Sequence, residues 1–158
     1  MESLKKKIYD SYVTPPSPPV VLVGLGIGAL RIATTNVFFD TFPRFKQVLP
    51  PPKNLNPLMI IPITTALIAA FVEEPMFRGN LNKDSTYQAI LINTLIFGAV
   101  HGLLKGTLEQ RISRVVSSTI GGAFYAAAQI FTGNLWAPTI AHFMNNSYRA
   151  LTPLKAFI

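Results

Sequence analysis

Two adjacent carboxylates, Glu73 and Glu74, stand at the end of an apolar run that opens at Pro57. Charge in hydrocarbon is unfavourable: insertion scales assign about 2.5–3.5 kcal/mol to Asp, Lys or Arg at a helix centre. Two acids in a row at such a place imply a partner, a proton, a metal or a function. On a helix, Glu74 and Arg78 are four residues apart, about 40° around the axis, and share a face. Glu73 lies about 140° from Arg78 and is left as the unpaired acid. The two histidines of the chain, His101 and His142, both fall inside apolar runs, and Asn146 follows His142 by one helical turn. A lone polar group in a membrane helix usually makes an interhelical hydrogen bond worth about 0.6 kcal/mol. Glu73, His101, His142 and Asn146 together, on three apolar segments, point instead to a site. A carboxylate beside imidazoles suits general acid–base chemistry. The same three ionisable groups form the His₂Glu set of a catalytic zinc site. No HExxH is present, however, and asparagine is a poor zinc ligand, so the sequence does not require a metal.

The segments that must position these groups can be read from composition and hydropathy. Of 158 residues, 49% are hydrophobic and only 13% charged, with mean hydropathy +0.36. Soluble domains carry about 25% charged residues. The deficit argues for an integral, multi-pass membrane protein whose first partner is the lipid bilayer. The net charge of +7 is scattered between apolar runs, which fits interfacial anchors and not a nucleic-acid surface. There is no cysteine, which excludes thiolate catalysis and cysteine metal sites.

A polar basic tail, residues 1–18, ends among Pro15, Pro16, Pro18 and Pro19. Five apolar runs follow: Pro19–Phe39, Pro57–Phe77, Tyr87–Leu104, Val115–Phe131 and Leu135–Leu151. In the first, Gly24 and Gly28 have the GxxxG spacing of a close-packing surface, and Arg31 is expected to snorkel or pair. Residues 40–56, with Pro43, Pro50, Pro51 and Pro52, are expected to form a loop. Pro62 and Pro75 are expected to bend or interrupt the second run. In the third, Gly98 and Gly102 flank His101 and would let a neighbouring helix come close. A charged loop with Lys105, Glu109, Arg111 and Arg114 is expected before the fourth run, and Trp136 is expected to anchor the fifth at the membrane interface. The expectation is an all-α, polytopic transmembrane helical bundle of about five spans, with one membrane domain over residues 19–158. The basic residues do not decide its orientation.

Three motifs occur in order within these runs: Glu73-Glu74-x-x-x-Arg78, Phe97-x-x-x-His101 and His142-x-x-x-Asn146. They resemble the motifs of the CAAX protease and bacteriocin-processing family of intramembrane proteases. That family includes endopeptidases like CAAX prenyl protease 2 and bacterial self-immunity proteins. The flanking residues agree, among them Glu-Glu-Pro-Met-Phe-Arg-Gly and Phe-Gly-Ala-Val-His-Gly. The resemblance covers Ala66 to Asn146, within a family-like core of about residues 66–150. It implies an intramembrane endopeptidase cutting a membrane-associated protein or peptide. Glu73, assisted by His101, would take a proton from water. His142 and Asn146 would donate hydrogen bonds to the oxyanion. Glu74 and Arg78 would hold the surrounding structure and screen charge, and Phe97 would pack the wall behind His101. No cofactor is required on this reading; zinc, if bound, would be held by Glu73, His101 and His142. Pro75 stands inside the first motif, and the chain has fewer spans than the prenyl endopeptidases.

Two other classes fit the composition. One is a catalytically silent membrane adaptor or bacteriocin self-immunity protein of the same fold. The other is a small transporter subunit with Glu73 and the histidines as a proton relay. The odd number of runs and the lack of an inverted repeat disfavour the transporter.

Overall fold

The computed structural model describes residues 4–43, 60–104 and 106–151. The proline-rich stretch 44–56, with Pro50, Pro51 and Pro52, lies outside the described residues, as does Lys105. The described residues form six helices: α1 Leu4–Val13, α2 Pro18–Thr41, α3 Ile60–Arg78, α4 Tyr87–Gly102, α5 Leu108–Thr132 and α6 Trp136–Leu151. No strand occurs among them, so the all-α expectation holds, with each apolar run giving one of helices α2 to α6. The basic tail adds a helix of its own, α1.

Helix ends follow local chemistry. Ser17 caps α2 in extended conformation, with proline just inside the helix, where its missing N–H leaves nothing unpaired. The expected interruption of α3 is absent. The helix runs through Pro75 to Arg78, and Gly79 N donates to Pro75 O at 3.0 Å beyond it. Proline forfeits one hydrogen bond near the end of the helix, and packing by neighbouring helices lets a membrane helix tolerate that loss.

The expected charged loop before the fourth run is also corrected. Glu109, Arg111 and Arg114 are helical, because α5 starts at Leu108. A capping box sets that start: Thr107 Oγ1 accepts from Gln110 N at 3.3 Å, and Gln110 Oε1 accepts from Thr107 N at 3.0 Å. The arginines then close the preceding helix. Arg111 Nε donates to Gly102 O at 2.8 Å, and Arg114 donates to His101 O at 3.2 Å and Leu104 O at 2.7 Å. The carbonyls of His101 and Gly102 are among those that the C-terminus of α4 leaves without partners.

Small residues decide which helices meet. A Cβ at Gly24 would lie 2.9 Å from Ala137 O, and one at Gly28 would lie 3.2 Å from Ala141 Cα, so α2 packs directly on α6. A Cβ at Gly98 would lie 1.9 Å from Thr119 Oγ1, which sets α4 against α5. Helix α6 also packs on α3 and α5, and α5 in turn packs on α2 and α4.

Among the described residues, α2 and α5 are long and apolar enough to cross a membrane. Helices α4 and α6 have 16 residues each. At 1.5 Å per residue they reach about 24 Å, short of a hydrocarbon core about 30 Å thick. Helix α3, with 19 residues, reaches about 28 Å.

Helix α1 docks on the end of the bundle. Tyr12 packs against Phe71 and edge-on against Trp136, both with ring centroids at 5.2 Å. Thr139 Oγ1 donates to Leu135 O and so accepts from the Tyr12 hydroxyl at 2.7 Å. Burial pushes the Tyr12 hydroxyl up to about 12, which keeps it protonated for that bond. Trp136 Nε1 donates to Thr14 O at 3.0 Å, so the expected interfacial anchor is engaged in holding α1.

Candidate active site

Helices α3, α4 and α6 bring Glu73, His101 and His142 together. Glu73 Oε2 lies 3.6 Å from His101 Nε2 and 3.9 Å from His142 Nε2. Both separations exceed a hydrogen bond. Oε2 is buried and makes no hydrogen bond among the described residues, although the Glu73 side chain as a whole is 28% exposed. His101 is 22% exposed and His142 only 4%, so the cluster is open on the Glu73–His101 side and closed behind His142.

The far nitrogen of each ring is already committed. His101 Nδ1 is 2.7 Å from Phe97 O, and a carbonyl can only accept, so Nδ1 carries a proton. The neutral ring therefore presents a lone pair at Nε2. His142 Nδ1 is 2.6 Å from Glu74 Oε1, a carboxylate partner that fixes the ring on the other side. Phe97 is the expected wall: its ring centroid lies 4.5 Å from that of His101 and 5.8 Å from that of His142. Tyr125 stacks on His142 with centroids at 4.7 Å.

Glu74 and Arg78 pair as the helical spacing requires, but loosely, at 3.4 Å. Both are fully buried. The shorter bond of Glu74 is to His142, a partner 68 positions away that the spacing could not reveal. Arg78 also donates to Gly122 O at 3.4 Å, and its guanidinium lies 4.0 Å over the Phe97 ring. The small residue at 122 makes room for this, since a Cβ there would lie 3.2 Å from Arg78 Nη2 and from Phe97.

Asn146 lines a cavity of about 40 Å³ together with His101 and His142. Its Oδ1 accepts from Asn145 Nδ2 at 3.2 Å, which leaves its own amide N–H groups as the available donors. Asn145 Oδ1 accepts in turn from Arg31 Nη1. Arg31 does not snorkel; it is buried and paired inside the bundle. Asn145, Tyr125 and Arg31 thus belong to the surroundings of the site; Arg31 and Asn145 carried a signal in sequence, as a charge and an amide within apolar runs, and Tyr125 carried none. Among the described residues, no three His, Cys, Asp or Glu side chains are grouped to hold a metal ion.

A family model, described as Type II CAAX prenyl endopeptidase Rce1-like, matches residues 55–148, more than half of the chain. It spans Glu73, His101, His142 and Asn146 and stops short of Arg149. No curated protein and no solved structure matches the chain.

Proposed function

We propose, for a chain that belongs to the Rce1-like family of type II CAAX prenyl endopeptidases, that the α3–α4–α6 cluster hydrolyses a peptide bond of a membrane-associated substrate. Family membership supports a membrane-embedded peptidase at that coarse level. The multi-pass topology, the mechanism and the substrate are our reading. The observation that carries it is Glu73 Oε2 facing Nε2 of both histidines at 3.6 and 3.9 Å.

Those separations are too long for direct bonds and suit a water between the groups. Glu73 takes one proton of that water as general base. The lone pair on His101 Nε2 accepts a hydrogen bond from the other and orients the oxygen. The oxygen attacks the scissile carbonyl carbon, and the carbonyl oxygen becomes an oxyanion. His142 and Asn146, one turn apart on α6, donate to it. With its Nδ1–H held by Glu74, a proton on His142 Nε2 makes the ring an imidazolium between two carboxylates. Collapse of the intermediate breaks the C–N bond, and the protonated Glu73 hands its proton to the leaving amine. Glu74 and Arg78 hold His142 in place without touching substrate. No step passes through a metal.

Cleavage of a prenylated peptide by the purified chain in detergent, compared with Glu73→Gln, tests the reading. Activity in the unaltered chain alone is expected. A chain that cleaves no membrane-associated peptide, with or without added zinc, would instead be the silent adaptor or immunity protein.

A further inference from the structure

Arg31 is a buried cation whose hydrogen-bond acceptors are all neutral. It lies on α2, outside the residues that the family model matches, and is 3% exposed. Its Nη1 donates to Asn145 Oδ1, and its Nη2 donates to Ser117 O and Ser117 Oγ, both at 3.1 Å. No ion pair joins it to a carboxylate among the described residues, and its Nε, also buried, makes no hydrogen bond. A charge taken out of water without a counter-charge is strongly unfavourable, so a guanidinium kept in this place calls for an anion.

The cavity beside it has the right character. Arg31 and Arg149 both line the 40 Å³ space that His101, His142 and Asn146 share, and no acidic residue lines it. By the usual measure a single water needs about 10–15 Å³ of such space, so the cavity takes a group the size of a carboxylate. Room for the guanidinium is built into α5: a Cβ at Gly121 would lie 3.2 Å from Arg31 Nε and 3.3 Å from Nη2.

We propose that Arg31, with Arg149 on the wall of the same cavity, binds a carboxylate of the peptide substrate and so fixes where the chain is cut. The proposal rests on the hydrolytic reading of the neighbouring cluster. The carboxylate has two possible sources, the free C-terminus of the peptide or an Asp or Glu side chain close to the scissile bond. Either supplies a counter-charge to the guanidinium that lines the cavity.

The test is a binding measurement that does not depend on turnover. Fluorescence anisotropy in detergent would follow one fluorescent prenylated peptide binding to the Glu73→Gln chain. The peptide is presented with a free C-terminal carboxylate, as its C-terminal amide, and as an amide carrying an internal Glu. Hydrogen bonds to charged groups contribute enough for about a 10- to 100-fold effect. The free acid is therefore expected to bind that much more tightly than the amide, and the gap should close in Arg31→Gln and narrow in Arg31→Lys. Recovery of affinity by the Glu-containing amide alone would identify a side-chain carboxylate. Equal affinity of all three peptides overturns the proposal, as does an acid–amide gap that survives Arg31→Gln. Should Arg31→Gln not fold, the three peptides compared on the Arg31 protein and on Arg31→Lys still decide it. A binding gap in Glu73→Gln, together with no cleavage by the unaltered chain, would keep the carboxylate site and overturn the hydrolytic reading.

Discussion

Glu74 Oε1 lies 2.6 Å from His142 Nδ1 and 3.4 Å from Arg78 Nη1, so the buried acid is bound more closely to the imidazole than to the arginine of its own helix. It joins α3 to α6 behind the imidazole that lines the cavity. This link makes Glu74 more than a screen for Arg78: it sets which His142 nitrogen faces Glu73.

Glu74→Gln keeps the shape but offers an amide where the ring needs a carboxylate. Losing the carboxylate that orients a catalytic histidine can lower kcat by up to about 10⁴. A large drop in kcat with little change in KM is expected, in a chain that still melts cooperatively in detergent. A kcat equal to that of the unaltered chain would show that Glu74 does not orient His142.

Arg78→Ala strands Glu74 with only His142 and empties the space over the Phe97 ring. Removing one partner of a buried pair costs about 3–5 kcal/mol. Thermal melts in detergent should show a marked loss of stability, and Arg78→Lys should restore only part, because lysine lacks the flat fork that lies over Phe97. A melt like that of the unaltered chain would remove Arg78 from the structural account.

Glu73→Gln, His101→Ala and His142→Ala are each expected to abolish cleavage of a prenylated peptide while the protein stays folded. Asn146→Ala should lower kcat by about 10²- to 10³-fold, the usual effect of losing one oxyanion donor. If Asn146→Ala instead raises KM with kcat intact, Asn146 binds substrate and does not stabilise the oxyanion.

Two glycines of similar sequence context should behave oppositely. A Cβ at Gly98 would lie 1.9 Å from Thr119 Oγ1 and 3.1 Å from Val115 O, so Gly98→Ala forces α4 off α5 and shifts His101. Overpacking of this kind costs about 1–3 kcal/mol. At Gly26 nothing lies within 4 Å of the added atom. Gly26→Ala should be neutral or stabilising by up to about 1 kcal/mol, from helix propensity alone. Melting curves of the two variants check this, and equal destabilisation would contradict the packing.

A chelator should leave the activity unchanged, since Glu73 as general base and the two histidines as hydrogen-bonding partners complete the proposed step by themselves. Loss of activity on chelation, restored by zinc, would recast Glu73, His101 and His142 as ligands.

Much of this architecture is written in the sequence because it depends on local rules. Apolar runs give helices, the spacing of Gly24 and Gly28 gives a flat face, and the four-residue step from Glu74 to Arg78 gives a shared turn. A hydropathy window misplaces the start of α5, because it discounts the polar first turns that the Thr107–Gln110 box nucleates.

What the tertiary structure alone decides is which face meets which. The 3.6-residue period places His142 and Asn146 on one side of α6 but cannot say that Glu74 stands opposite the first. Nor can it say that Asn145, the residue between them in rank, reaches Arg31. Those contacts bridge 68 and 114 positions. They depend on the rotation of each helix about its axis and on which small residues let two backbones approach. Both are settled by packing the whole bundle at once, since a polar group in a low-dielectric interior must find its partner wherever the fold brings one.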